Sequence, residues 1–488
     1  IPMDTEKPKL SLRLLIDKKR NKVVLAETCR DFVDVLFSFH TLPMGTIVRL
    51  LDKHHKLQPV SVGCFNNLYK SVSDMDVHDF ETEDCKSMLL YPRSTKEIHC
   101  RRLKLNIDDT EATKFFACPT FYKENCKQYS NFNTSRCSCG DLMTRTVHVS
   151  EEEQVGGPIG NVEDGVFVSC RSSYIVTDDL RVTLSSLGVI ANVLNGLGYA
   201  DLDDLQEIHL DAGYEEVYFL LCAYSNNLFA SEFPLTSTFL GKPFMVKGFS
   251  THAVKSEHVK VGHECYAKLF VRKCDRKILY AECNEDFVDS LLTFLVLPLE
   301  LAWSLSNAGT VLGCVANLCR SECKRASAST SWEIPYYYTC SKQILDIPHQ
   351  QGVVYECLRQ TLSGVNLERK VTRHTTRTIM SMRPRDPKVK SNTPSIHGTG
   401  FVKRDTKFIV SDDLVITPMK SALTIVVYES NINISDLEEH GISISKAELI
   451  SILRASLISR SALTNGLSSF LAKKQKKQVF STAKTNIP

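Results

Sequence analysis

Residues 26–43, AETCRDFVDVLFSFHTLP, are closely repeated at residues 281–298, AECNEDFVDSLLTFLVLP. Ten of the eighteen aligned positions are identical, and both copies end in the same Leu-Pro pair. Self-similarity of this length at a large separation is typical of a duplicated structural unit. The chain is therefore predicted to contain two homologous repeats.

Shorter matches follow in the same order along the chain. Gly63-Cys64 and Asn67-Leu68 match Gly313-Cys314 and Asn317-Leu318, and YIVTDDLRVT (174–183) matches FIVSDDLVIT (408–417). These matches predict a first repeat at 8–246, a second repeat at 247–473 and a basic tail at 474–488. Two copies of one unit account for 488 residues, whereas roughly 150 residues per domain would suggest three unrelated domains.

Each repeat has the pattern of a β-hairpin followed by an apolar helix. Leucines alternate over residues 10–14, a polar break covers 17–22, and an apolar run covers 23–26. This pattern predicts two paired strands, and residues 268–281 repeat it. Phe32, Leu36 and Phe39 then recur at helical spacing. The segment is apolar on nearly every side, which predicts a buried helix.

Proline then ends or kinks this helix, at Pro43 in the first repeat and Pro298 in the second. Each repeat closes with a polar turn and a second helical run, at 215–224 and at 447–458. Strands followed by helices, without regular alternation, indicate an α+β fold. We expect each repeat to be a β-hairpin, a buried helix and a C-terminal strand and helix module.

Four cysteines lie within 22 residues of a polar, turn-rich insertion at about 115–145. They are Cys118, Cys126, Cys137 and Cys139, and Gly140 follows the last of them. Zn²⁺ in structural sites takes four soft ligands at tetrahedral corners. The Cys-x-Cys-Gly sequence predicts one zinc knuckle, and the two earlier cysteines supply the other half. Four thiolates leave no open coordination position, so the sequence predicts one structural zinc ion per chain.

Two other readings of this cysteine set stay open, namely a group of reduced free thiols and a disulfide pair. His99 and Cys100 lie nearby and are weaker candidate ligands. Cys340 aligns with Cys118, but no Cys-x-Cys follows it, and Cys357 alone cannot complete a set. Any metal site is therefore expected in the first repeat only.

Acidic residues recur at matched positions of the two repeats. These positions are Asp31 and Asp286, Asp178-Asp179 and Asp412-Asp413, and Glu27 and Glu282. We expect the aspartates to accept hydrogen bonds from free backbone N–H groups at helix starts and turns. Acid–base catalysis is the alternative, and it requires a cleft and a perturbed pKa. The glutamates follow apolar strand residues and precede the helix, so their side chains could be buried beside an unidentified partner.

Cys64 and Cys314 each follow a glycine and could be nucleophiles at a turn. No histidine recurs with them in both repeats, so we expect buried structural thiols instead. The chain has no dinucleotide-binding glycine motif, no phosphate-binding loop, no zinc-protease motif and no nucleophile elbow.

The charge is nearly balanced at +3, which argues against a chain that mainly coats nucleic acid. Basic side chains nevertheless gather at 369–390 and 473–477. These segments are solvated linker and tail in one interpretation, and an anion-contacting or nuclear-import surface in the other. No leader opens the sequence and no apolar run approaches the ~20 residues that span a bilayer. We therefore expect a reduced, cytoplasmic or nuclear protein with no membrane contact.

The chain resembles the plant domain-of-unknown-function 674 family in KLSLRLLIDKKRNKVVLAET (9–28), the Gly63-Cys64 patch, RCSCG (136–140) and YIVTDDL (174–180). The resemblance extends over almost the whole chain and occurs in two copies. It implies a plant origin and an intracellular protein, and it brings no catalytic mechanism. The second copy departs from the family pattern because it lacks the cysteine knuckle.

Three functions are compatible with these features. The sequence favours a non-enzymatic interaction protein, with an unknown protein partner and one structural zinc ion. An enzyme with a site between the two repeats is the second, and a concave apolar pocket holding Glu27 or Glu282 would support it. A weak nucleic-acid binder acting through 369–390 and 473–477 is the third, for which strongly salt-dependent binding would be expected.

Overall fold

The structure is a computed structural model of the 488-residue chain. It describes residues 7–53, 61–120, 126–155, 165–168, 173–199, 202–226, 233–242, 262–306, 313–321, 332–352, 354–364, 373–390, 398–420 and 434–472. Helices and antiparallel sheets both contribute, so the predicted α+β class is confirmed. Among the described helices, none has the length and apolar character that crossing a bilayer demands.

The strands are β1 (Leu10–Asp17), β2 (Lys22–Thr28), β3 (Phe115–Ala117), β4 (Gln128–Ser130), β5 (Arg145–Val147), β6 (Tyr174–Thr177), β7 (Val182–Leu184), β8 (Leu205–Ala212), β9 (Cys265–Arg272), β10 (Ile278–Asn284), β11 (Tyr355–Gly364), β12 (Arg373–Pro384), β13 (Lys407–Ser411), β14 (Ile416–Pro418) and β15 (Leu437–Ile444).

The helices are α1 (Arg30–Thr41), α2 (Met44–Lys53), α3 (Phe65–Asp74), α4 (Glu83–Leu90), α5 (Glu97–Arg101), α6 (Glu151–Val155), α7 (Leu187–Gly196), α8 (Tyr214–Asn226), α9 (Pro234–Leu240), α10 (Glu285–Leu292), α11 (Leu299–Leu305), α12 (Gly313–Cys319), α13 (Lys446–Ile458) and α14 (Ala462–Gly466). Short 3₁₀ turns lie at Val77–Asp79, Thr293–Val296, Tyr336–Tyr338 and Ile434–Asp436.

Two five-stranded antiparallel sheets have the same plan. The first sheet has the order β7-β6-β2-β1-β8, and the second has the order β14-β13-β10-β9-β15. Each is built on the expected hairpin, β1 with β2 and β9 with β10. Alternate side chains of β1 are buried because successive residues of a strand point to opposite faces. These equal strand orders agree with the two-repeat interpretation, which stays a prediction.

The two sheets are joined by a reciprocal contact at the prolines that end the repeated motif. Pro43 and Pro298 form an antiparallel bridge. The Met44 N–H donates to the Leu297 carbonyl oxygen at 2.9 Å, and the Leu299 N–H donates to the Leu42 carbonyl oxygen at 3.0 Å. The two halves of the chain therefore pack directly against each other, a point that the sequence leaves undetermined.

Two short helices are exchanged across this contact. The Asn67 side chain of α3 donates to the Asp413 carbonyl oxygen at 2.8 Å. In the opposite direction, the Asn317 side chain of α12 donates to the Asp179 carbonyl oxygen at 2.9 Å. Each helix thus docks on the sheet that the other half of the chain forms. One continuous hydrophobic core passes through both sheets and all of these helices.

A third sheet combines segments of both halves, in the order β11-β12-β4-β3-β5. β3, β4 and β5 come from the cysteine-rich insertion, and β11 with β12 forms a long hairpin of the second half. The connection between them is a short parallel pairing of Arg383 with Gln128 and Pro384 with Tyr129. This sheet positions the cysteine cluster.

Candidate metal centre

The four predicted cysteines approach one another from three short segments of the insertion. Cys118 directly follows β3, and Cys126 precedes β4 by two positions. Cys137 and Cys139 lie in a tight turn, where the Cys137 N–H donates to the Asp141 carbonyl oxygen at 2.8 Å and the Gly140 N–H donates to the Cys137 carbonyl oxygen at 2.9 Å. Gly140 has φ of 96°, a backbone conformation that favours glycine.

The four sulfur atoms all lie within 4.8 Å of one another, so together they can hold a metal ion. The Sγ atoms of Cys118 and Cys139 are 3.5 Å apart. All four residues are free thiols, so the disulfide alternative is not realised in this structure. Three are buried and Cys139 is exposed, which leaves one side of the cluster open to solvent.

The thiols of the cluster differ in acidity. Burial raises the pKa of Cys118 above its ordinary value and that of Cys126 to about 12. Burial acts on Cys139 in the same direction, but hydrogen bonds from the Asp141 backbone N–H and from the other three thiols lower the pKa of Cys139 overall. The other three thiols therefore favour ionisation of Cys139 over ionisation of Cys118 or Cys126.

A buried arginine lies next to the cluster. Arg385 is only 2% exposed and follows β12, where its N–H donates to the Tyr129 carbonyl oxygen at 2.8 Å. Burial lowers the pKa of Arg385, and the neighbouring Cys137, Asp386 and Cys139 oppose that shift. Its Nε atom has no hydrogen-bond partner among the described residues. The guanidinium therefore places positive charge beside the sulfur atoms.

The weaker candidate ligands do not join the site. Cys100 is buried in α5, where its sulfur contacts the Thr41 hydroxyl at 3.3 Å, and burial raises its pKa to about 12. His99 is not among the groups that converge with the four cysteines. Cys340, which aligns with Cys118, is half-buried with no ligand set around it among the described residues. The side chain of Cys357 lies outside the described residues.

The basic segment 369–390 contains both buried and exposed cations. Arg385 and Lys388 are each 2% exposed, and Lys388 pairs with Asp386 at 3.0 Å. These two cations are therefore not available to a nucleic acid, whereas Arg383 and Lys390 are exposed. Residues 369–372 and 473–477, and the side chains of residues 373–380, lie outside the described residues.

The predicted capping role is confirmed for one set of aspartates. Asp178 accepts hydrogen bonds from the Thr236 N–H at 2.8 Å and hydroxyl at 2.6 Å at α9. Asp412 accepts one from the Thr464 N–H at 2.7 Å at α14. The second aspartate of each pair accepts a hydroxyl within its own turn.

For Asp31 and Asp286 the capping role stays a prediction. The residues just before α1 and α10, Cys29 and Asn284, make no side-chain cap hydrogen bond, and Asp31 and Asp286 lie in the first turns. Asp286 instead pairs with Arg404 at 2.7 Å and with Lys342 at 2.8 Å. Cationic side chains that arrive from elsewhere in the second half compete successfully for this carboxylate.

Glu27 is another candidate group, and it borders a cavity of about 560 Å³ on the first sheet, where it pairs with Arg13. The cavity lining carries polar pairs, including the Ser11 hydroxyl that donates to Asp211 at 2.7 Å, rather than the apolar surface that would support the enzyme hypothesis. Cys64 is fully buried and burial raises its pKa to about 12, while Cys314 is 1% exposed.

A second convergence of metal-ligating residue types was missed at the sequence level. His40, Glu300 and Cys319 meet between the two halves of the chain. These residue types do not recur at matched positions and are spread over 280 residues. Among the described residues, this group and the four-cysteine cluster are the two sets with three or more converging ligand atoms.

Comparison with known proteins supplies the family and no closer relative. No curated protein and no solved structure matches the chain. A family model does match, over residues 6–447, which is most of the sequence. The chain belongs to the family described as a protein of unknown function, DUF674.

Proposed function

We propose that the protein is a non-enzymatic interaction protein in which Cys118, Cys126, Cys137 and Cys139 bind one structural zinc ion. The observation that carries this proposal is the convergence of four sulfur atoms within 4.8 Å. Four thiolates occupy all four tetrahedral positions of Zn²⁺, so no position is left for a substrate or an activated water.

The charges around the cluster support a metal-bound thiolate state. Zn²⁺ with four thiolates has a net charge of −2, and a buried negative charge is costly unless a cation or hydrogen bonds compensate for it. Arg385 supplies such a cation next to Cys137 and Cys139. The Asp141 backbone N–H adds a hydrogen bond to the Cys139 sulfur.

The role of the zinc ion would be to secure the third sheet. The insertion contributes the short strands β3, β4 and β5, of three residues each, and a small apolar cluster with Phe115, Tyr129 and Met382. A core of this size is too small to hold the insertion in place alone, and metal binding replaces the missing burial with coordination energy. The zinc would thereby connect the insertion of the first half to β12 of the second.

Metal analysis of the purified, reduced protein tests the proposal. We expect one zinc per chain by elemental mass spectrometry, and loss of that zinc in Cys137→Ser and in Cys139→Ser. Cys274→Ser is the matched control, because Cys274 is an exposed free thiol outside the cluster, and it should retain the metal. A wild-type protein without zinc, or a Cys137→Ser protein that retains it, would refute the site.

Removal of the metal should also weaken the fold locally. A chelator is expected to expose the β3 to β5 segment to hydrogen exchange while the first and second sheets stay protected. Uniform loss of protection in all three sheets would instead assign the zinc a global role, and an unchanged pattern would contradict the securing role.

The proposed partner is another protein with an apolar contact surface. α7 packs its inner side on Val24, Leu25 and Ile175 of the first sheet. Its outer side and the following turn leave large apolar side chains in solvent: Leu187 is 87% exposed, Leu197 50% and Leu202 62%. Exposed apolar groups concentrated in one region are typical of contact sites.

A photoreactive amino acid placed at position 187 tests this surface in an extract of the source cells. We expect cross-links to one protein from position 187 and none to that protein from position 266, where Tyr266 is 59% exposed on the second sheet. Leu202→Glu should abolish the cross-link from position 187. Equal labelling from both positions, or labelling that survives Leu202→Glu, would refute the contact site.

A further inference from the structure

A buried polar relay crosses the contact between the two halves of the chain. His40 of α1 is completely buried, and its Nδ1 atom lies 3.3 Å from the Glu300 carboxylate of α11, as a close electrostatic contact rather than a hydrogen bond. Its Nε2 atom lies 3.6 Å from the Cys319 sulfur, at the end of α12. The order is carboxylate, imidazole, thiol, which is the arrangement that activates a cysteine nucleophile in unrelated enzymes.

The other side of the same reciprocal contact serves as an internal control. By sequence alignment, His40 matches Leu295 and Glu300 matches Gly45. Cys319 likewise matches Tyr69. A β-carbon on Gly45 would lie 3.1 Å from the Leu295 carbonyl oxygen, so these two residues also meet. The equivalent position is thus occupied by leucine and glycine, so packing alone does not require His40 and Glu300.

The geometry favours a proton relay over a metal site. The two nitrogen atoms of an imidazole ring point in divergent directions, and only one of them can bind a given metal ion. Here Glu300 is at Nδ1 and Cys319 is at Nε2, so the carboxylate and the sulfur face different nitrogen atoms. The nearest partner of each nitrogen is thus different, as a proton relay requires, although one histidine nitrogen, the carboxylate and the sulfur also lie within 4.8 Å of one another.

A polar group next to the relay lacks a partner. The Tyr224 ring of α8 lies 6.2 Å from the His40 ring, between ring centroids, and is completely buried. Its hydroxyl makes no hydrogen bond among the described residues. Buried hydroxyls are nearly always paired, and this one is close enough for Cys319 and Glu300 to influence its pKa. It can donate to an acceptor that arrives with a ligand.

We propose that Cys319 is a reactive nucleophile that forms a covalent bond with small electrophiles that carry a carbonyl group. The Cys319 proton passes to His40 Nε2, the thiolate sulfur bonds to the electrophilic carbon, and the leaving group departs with the electron pair of the broken bond. Glu300 is a positioning residue whose carboxylate, 3.3 Å from His40 Nδ1, favours the imidazolium that forms when His40 accepts the proton. Tyr224 donates to the carbonyl oxygen of the bound electrophile.

Iodoacetamide is a suitable probe because it has a carbonyl group and loses iodide when sulfur attacks its CH₂ carbon. The native protein is treated over pH 5.5 to 9, and each cysteine is quantified by peptide mass spectrometry. The ionisable groups near Cys319 among the described residues include His40, at 3.6 Å, and Tyr224, on whose pKa Cys319, Cys314 and Glu300 all act. An unactivated cysteine has a pKa of about 8.5, so a relay is expected to shift the rate profile to lower pH.

At pH 6.5 we expect Cys319 to react about 10-fold faster than the exposed Cys274, although Cys319 is less accessible. His40→Leu, which introduces the residue found at position 295, should remove this advantage and move the profile toward that of an ordinary thiol. Glu300→Gln should give a smaller shift in the same direction. Leu295→Met is the matched control and should change neither rate nor profile.

If His40→Leu does not fold, His40→Gln gives the same test. Glutamine is polar and similar in size to histidine, but it cannot act as a base. A Cys319 rate at or below that of Cys274 across the whole pH range would overturn the proposal. So would a profile that stays unchanged in the folded His40 variant, because accessibility alone would then explain the reactivity.

Discussion

The two repeated helices are anchored by hydrogen bonds of the same kind to the segments that precede β6 and β13. In the first half, the buried Asp34 accepts N–H groups of Val166, Phe167 and Val168. In the second half, the matched Asp289 accepts the Phe401 and Val402 N–H groups, and its other oxygen pairs with Arg404. Among the described residues, the first anchor thus uses three backbone donors and the second uses two with an added ion pair.

The exchanged helices α3 and α12 make equivalent contacts, but the residues buried beside them differ in chemistry. The Asn67 and Asn317 contacts are reciprocal. Beside them, one side buries the relay of His40 and the other side buries Leu295. Where the two sides agree, the residues serve the fold, and where they differ, a residue is available for another role. The substitutions below test that distinction, beginning with the largest expected effect.

Gly63→Ala should have the largest effect, because it inserts a methyl group into the exchanged-helix contact. Gly63 has φ of +50°, and its β-carbon would lie 1.9 Å from the Ser456 carbonyl oxygen. Backbone must move to relieve such a clash, so we expect a loss of about 4 kcal/mol in the free energy of unfolding, or failure to fold. Urea denaturation measures this loss.

Gly198→Ala is the control for backbone strain alone. Gly198 has φ of +84°, but nothing lies within 4 Å of its added β-carbon. A non-glycine residue in this region costs roughly 1–2 kcal/mol. If the two substitutions cost the same, the contact at Ser456 is loose and the exchange contributes little to stability.

The two aspartate anchors should differ in their contribution to stability. Asp34→Ala leaves three backbone N–H groups without their acceptor, and we expect a loss of about 3 kcal/mol. Asp289→Ala leaves two, and Arg404 keeps its pair with Asp286 at 2.7 Å, so about 2 kcal/mol is expected. Equilibrium unfolding of both variants at neutral pH measures the difference. A larger loss in Asp289→Ala would show that the ion pair, and not the backbone donors, dominates the second anchor.

Local features of the fold were predictable because they depend on neighbours in sequence. The alternation at 10–14 predicts β1, and the spacing of Phe32, Leu36 and Phe39 predicts α1. The four cysteines were identifiable in the same way, since four soft ligand residues occur within 22 positions of one insertion and two of them form a Cys-x-Cys-Gly sequence. Cys137 and Cys139 required only a turn to converge.

The features that were missed depend on contacts between distant segments. Asn67 and Asp413 are 346 positions apart, so nothing near Asn67 marks it as the anchor of an exchanged helix. The third sheet relies on a parallel pairing of only two residue pairs, which leaves no periodic signal. His40 and Cys319 are unmatched in the repeats, and a rule that searched for recurrence could not select them.

The smallest expected effect concerns the pH dependence of the two helix-capping aspartates. Burial raises the pKa of Asp178 to about 6, against the opposing hydrogen bonds from Thr236. Between the unfolded value near 4 and this folded value, the folded state holds a proton that the unfolded state has released. Stability therefore falls as the pH rises from 4 to 6. Relative to Asp178→Asn, the wild-type protein should lose about 2 kcal/mol over this interval.

Asp412→Asn offers the matched comparison in the second half. Burial also raises the pKa of Asp412, but that residue is less enclosed and Lys277 lies 3.7 Å from its carboxylate. A nearby cation favours the ionised form, so the loss relative to Asp412→Asn should have the same sign and a smaller size. Urea unfolding of all three proteins at pH 4.5, 5.5 and 6.5 gives both slopes. Because any release of the proposed zinc ion by acid would affect all three proteins equally, only the differences between them report on the caps. A wild-type protein that gains stability with rising pH relative to Asp178→Asn would mean that the threonine hydrogen bonds outweigh burial.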